Sequence, residues 1–220
     1  MGVLSELQNE LQELNSINVG HDIEDFLIDS SSREALPGAI IGTPEQIFVS
    51  QLSSDEMDLA VYIDASILQT LQQHCPSEGL SDANVDAYCV ALEGVSHFNL
   101  ILWRADQSWP ISQLELELQA EVDKFVGAGC LLINTGYSPK LAKRIMQKAL
   151  FENFEWRPGF GEEELGRYRA ATLGAKEFVD SLQLPHRPTE AITFLFEEAR
   201  MFYRLPLSEK LRYRERKKAG

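Results

Sequence analysis

Between residues 3 and 14, Val3, Leu4, Leu7, Leu11 and Leu14 recur at helical spacing, while Glu6, Glu10 and Glu13 fall elsewhere. An apolar stripe of that period predicts an amphipathic helix whose inner side covers a core or a partner. The period is lost from Asn15 to Thr43. There the run His21-Asp-Ile-Glu-Asp-Phe-Leu-Ile28 suits a short helix, and Ser30-Ser-Ser and Pro37-Gly38 are loop signals. Gln46–Gln51 and Leu59–Ile63 are short runs of β-branched and aromatic residues separated by a polar stretch, the pattern of a β-hairpin. Asp64 then stands at an N-cap position, ahead of a helix over Ala65–His74 that ends before Cys75-Pro76.

From Ser81-Asp82 onward, Val85, Tyr88, Cys89, Leu92, Val95, Asn99 and Trp103 share one face at about 100° per residue. That spacing predicts a helix over 82–105. The competing reading makes Tyr88–Leu92 and His97–Trp103 two strands around Glu93-Gly-Val-Ser96, with Gly94 as its argument. Pro110 suits a first helical turn, and Ile111, Leu114, Leu118, Val122 and Phe125 mark a helical face up to Gly127. With the preceding segment this gives an αα-hairpin. Three more helices are predicted from Ser138-Pro139 to about Phe154, from Glu162 to about Leu182 and from Thr189 to about Tyr203, before Pro206. The predicted fold is mainly α, a helical bundle with a small β-hairpin in its N-terminal third. The alternative is an α+β fold with a small antiparallel sheet that includes residues 86–104. Residues 1–204 form one expected domain and 205–220 a basic C-terminal tail.

Composition fits this picture. With 220 residues, 44% apolar and 25% charged, the chain can bury a core without a disulfide or structural metal, so a bound metal would be functional. No apolar run approaches the roughly 20 residues that span a bilayer, and the start lacks a basic region followed by an apolar one. Glu6 stands where a myristoylation signal needs Ser or Thr. The expectation is a cytoplasmic chain with no membrane attachment. Cys75, Cys89 and Cys130 are an odd number, far apart, and read as reduced thiols packed as small hydrophobes.

Charge adds a polarity. Of the net −14, residues 1–80 carry −13 with Arg33 as their one basic side chain, whereas residues 200–220 carry +6. The acidic front repels nucleic acid and anionic lipid, which leaves the tail as the one place for either. Arg204, Lys210, Arg212, Arg214, Arg216, Lys217 and Lys218, interleaved with Tyr203 and Tyr213, make a candidate contact for a protein partner or a phosphate backbone.

The best candidate chemistry lies on the expected helix pair. Glu93 and His97 stand four apart on one helix, and Glu117 and Glu121 four apart on the next, so each pair shares a face and the four could ligate a metal. Carboxylate-bridged dimetal proteins use Glu-x-x-His at three-residue spacing, which this stretch lacks. The structural alternative is a polar face with Lys124 pairing to Glu121. His97, roughly 140° from the centre of the apolar face, is expected half-buried beside Glu93. Ser96 and Asn99 fall on the apolar face itself, where they satisfy buried partners or line a pocket. Three glutamates after Gly159-Phe-Gly161 would repel a phosphate, and no Walker lysine, His-Glu-x-x-His or Gly-x-Ser-x-Gly motif occurs. The leading functional expectation is a non-catalytic interaction or regulatory protein; the alternative is a metal- or ligand-binding bundle, with catalysis and cofactor left open, built on residues 93–121.

Overall fold

Side-chain acceptors mark where the main elements begin. In the computed structural model, which describes residues 2–51, 56–152 and 161–213, Asp64 accepts from the Ser66 N–H at 2.8 Å and Ser112 from the Glu115 N–H at 3.2 Å. Ser138 caps in the same way, accepting from the Leu141 N–H at 3.4 Å, with Pro139 in the first turn. Each satisfies one of the amides that a first turn leaves without a helical partner. The chain folds as two compact units, one of residues 1–13 and 17–108, the other of residues 14–16 and 109–220.

The N-terminal unit takes in most of α1 (Val3–Asn15), the short α2 (Ser30–Glu34), α3 (Ala65–Gln73) and the long α4 (Val85–Asp106). Its sheet has the order β1-β3-β2, with β1 (Leu27–Ile28) parallel to β3 (Met57–Ile63) and β2 (Glu45–Gln51) antiparallel to it. The expected hairpin is therefore present, in a register that pairs Ile47 with Val61 and Glu45 with Ile63. Instead of the expected short helix over 21–28, a single 3-10 turn, Ile23–Phe26, leads into β1. α4 packs against β2, β3 and α3. Residues 86–104 are helical throughout, so the α+β alternative built on strands there does not hold, and the mainly α class does.

The C-terminal unit is organised around α5 (Gln113–Asn134), which packs against α6 (Pro139–Phe151), α7 (Glu162–Ser181) and α8 (Pro188–Tyr203). α5 starts at Ser112 rather than Pro110 and runs past Gly127, the expected end. Ala128, Cys130, Leu132 and Ile133 are all buried, and that apolar burial outweighs the helix cost of Gly127 and Gly129, about 1 kcal/mol each. Phe154, at the expected end of α6, and Gly159 and Phe160 lie outside the described residues. The stretch 205–213, assigned by its charge to a tail, folds into this unit through the short α9 (Leu207–Lys210), with Leu205, Lys210 and Tyr213 buried. Phe178, Phe202 and Tyr213 form an aromatic cluster with centroids 4.7–5.2 Å apart. Among the described residues no helix is long and apolar enough to cross a membrane.

Candidate cation-binding site

α4 carries Glu93 and His97 on successive turns of the N-terminal unit. A helical side chain leans back toward the N-terminus, so the imidazole of residue 97 reaches the carboxylate of residue 93. A donor nitrogen of His97 and a carboxylate oxygen of Glu93 lie within 4.8 Å of one another. His97 is 5% exposed, more buried than its angle from the apolar face predicts. β2 supplies one of its neighbours. Glu45, the first residue of that strand, sets its Oε1 3.4 Å from Nδ1 of His97.

Gly94 makes this approach feasible. A Cβ at that position would stand 3.1 Å from Cγ of Glu45 and 3.2 Å from Cδ1 of Ile63, closer than ordinary side-chain contacts. The Glu45 stem and the Ile63 side chain occupy the space that a side chain at residue 94 would crowd. The result in this unit is a helical Glu–His pair with a second carboxylate on the flank of the ring. An imidazole with carboxylates suits the borderline divalent transition metals better than calcium or magnesium.

The other expected ligands, Glu117 and Glu121, stand one turn apart on α5 of the C-terminal unit. The four-residue set therefore belongs to neither unit alone. Glu121 accepts from Nζ of Lys124 at 2.7 Å, the pairing expected of a polar helix face. Asn99 and Ser96 are buried, 2% and 1% exposed. Oδ1 of Asn99 accepts from Nε2 of Gln8 at 3.2 Å. That amide also donates to the His21 carbonyl at 2.8 Å, and its Oε1 accepts from the Ile23 N–H at 3.0 Å. Gln8 thus ties α1 to the turn after it and to α4, a structural role that answers part of the buried-polar question.

The expected partner-binding residues divide. Nζ of Lys210 is fully buried and donates to Glu115 and to Gln119, both at 3.0 Å. Arg204 donates to the carbonyls of Asn15, Ser16 and Arg200 at 2.9 Å each. Arg212 is exposed, and Arg214, Arg216, Lys217 and Lys218 lie outside the described residues. The thiols are unpaired with one another, and burial pushes that of Cys130 up to about 12, which removes it as a nucleophile.

Two further features escaped the sequence reading. Glu45 precedes an apolar run and has no periodic relation to His97, so spacing gives no sign of it. Lys210 was readable in part, since Leu205, Leu207, Leu211 and Tyr213 give the supposed tail enough apolar residues to fold. No protein-family model, curated protein or solved structure matches the chain.

Proposed function

We propose that this protein binds a divalent transition-metal cation through Glu93 and His97, with Glu45 beside the imidazole. The observation that carries the reading is the reach of the two donors, within 4.8 Å of one another. Two ligands each about 2.0–2.2 Å from one zinc ion lie roughly 3.4 Å apart in tetrahedral geometry, and side-chain rotation covers the difference. Helical i,i+4 placement fixes both on one face, so little conformational entropy is lost on binding. The test is elemental analysis of the full chain purified without a metal-affinity tag. Near-stoichiometric zinc, iron, manganese or cobalt in the wild type, absent from a Glu93→Gln/His97→Gln variant, supports the reading; a metal-free wild type after incubation with each ion contradicts it.

A second reading, an interaction or regulatory protein, has its own support. Ile40, Ile41 and Val49 are 51%, 67% and 50% exposed in the unit that carries the acidic excess. Exposed apolar side chains on a unit of acidic net charge suit a basic, amphipathic protein partner. Ile41→Lys/Val49→Lys tests it, with loss of a cross-linked partner as the expected result. For the tail, a truncation must begin at 214, because one beginning at 205 removes the buried Lys210 and Tyr213. Nucleic-acid binding by residues 214–220 would weaken steeply with salt.

A further inference from the structure

We propose that Glu45 is the positioning residue of the Glu93–His97 site, holding the His97 ring as its Nδ1–H tautomer so that Nε2 is the nitrogen offered to a cation. The inference rests on the cation reading for its purpose, but its geometry does not. An ionised carboxylate only accepts hydrogen bonds, so a proton between Oε1 of Glu45 and Nδ1 of His97, 3.4 Å apart, belongs to the ring. In neutral imidazole one nitrogen carries the hydrogen and the other its lone pair, and the partner of the first decides which is free to ligate. Metal-bound histidines are commonly oriented by a carboxylate on the nitrogen away from the metal. In the proposed site Glu45 takes that place from a different element, β2, where the absence of a side chain at Gly94 leaves room for its Cγ.

The arrangement gives the two carboxylates different tasks. Glu93, on the same helix as His97, shares its face and serves as ligand. Glu45, at the start of a strand paired with β3 through Ile63, is held by the sheet and fixes the ring. Losing Glu45 leaves both ligands in place but lets the imidazole exchange tautomers. It should therefore weaken cation binding about 10- to 100-fold, the range for lost outer-shell partners, whereas losing His97 abolishes it.

The test reads the ring directly. Long-range ¹H–¹⁵N correlation spectra of the metal-free full chain, taken above the His97 titration midpoint, report which nitrogen is protonated. The proposal expects Nδ1–H in the wild type and a tautomer mixture in Glu45→Ala. Gly94→Ala, which keeps the carboxylate but crowds its stem, should shift the ring toward the same mixture, and its unchanged remaining resonances control for folding. Wild-type His97 protonated at Nε2, or a tautomer unaffected by both variants, overturns the proposal. Cobalt(II) titration of the same samples separates the two claims. An Nδ1–H ring in a protein that binds no cobalt retains Glu45 as the orienting group and removes the cation reading, while cobalt binding with an Nε2–H ring retains the cation and removes the role of Glu45.

Discussion

The ammonium of Lys210 lies 3.0 Å from the carboxylate of Glu115, joining the end of the described chain to the first turns of α5 with neither side chain more than 4% exposed. Its second bond goes to Gln119, whose own amide donates to Asp123 at 3.0 Å; Asn15 reaches the same Asp123 oxygen at 3.2 Å. This row of buried polar groups anchors residues 205–213 and ties Asn15 to the C-terminal unit. Lys210→Met takes the ammonium away from the buried Glu115 carboxylate, and breaking such a buried pair costs about 3–5 kcal/mol. Urea unfolding checks this, and Glu115→Leu/Lys210→Met should recover most of the loss, because an apolar pair of similar volume removes the stranded charge along with its partner.

Gln8 and Asn99 make an asymmetric pair. Gln8→Leu strands the buried Ile23 N–H, at about 1–3 kcal/mol, and also removes the donor that meets the part-buried His21 carbonyl. Nδ2 of Asn99 is buried with no hydrogen-bond partner among the described residues, and Gln8 keeps its His21 bond without Asn99. Asn99→Ala, which leaves both of these Gln8 bonds in place, should therefore cost less than Gln8→Leu. Equal losses in the two variants would contradict this account of the network.

The cap of α3 titrates with a defined sign. Hydrogen bonds from the Ser66 hydroxyl and backbone N–H hold the Asp64 carboxyl below its ordinary value, with smaller help from the Tyr62 hydroxyl and the charge of Arg33. Because the folded value is the lower one, the stabilisation is complete above the ordinary carboxylate range and fades as pH falls through the folded value. Asp64→Ala should cost about 1 kcal/mol at neutral pH, the usual cost of a lost cap. The gap between wild type and variant should narrow on acidification in parallel denaturation curves. A gap that widens toward low pH would reverse the sign of this coupling.

The helices were readable because their signals are local. Val85, Tyr88, Leu92 and Val95 declare α4 by period alone, and Asp64 and Ser138 declare starts by chemistry. Gly94 shows where such reading runs out. On the sequence it argues for a turn between strands, whereas in the fold it is the clearance that admits Glu45 and Ile63 against the helix. The value of that glycine depends on a strand some fifty residues away, which no window of periodicity contains. β1 was hidden for a similar reason, since two residues, Leu27 and Ile28, become a strand only by pairing with Val61 and Tyr62. Lys210 was read by its charge, while its burial follows from α5 supplying Glu115 and Gln119 from about ninety positions earlier in the chain.

Glu93 and His97 were found by spacing, because i,i+4 geometry is local, and Glu45 was not, because the sheet delivers it. The measurement that bears most directly on the cation reading is a cobalt(II) titration of tag-free, full-length protein followed by visible absorption. The account predicts ligand-field bands that saturate near one equivalent, persist more weakly in Glu45→Ala and vanish in His97→Gln. Identical spectra for wild type and His97→Gln would contradict it.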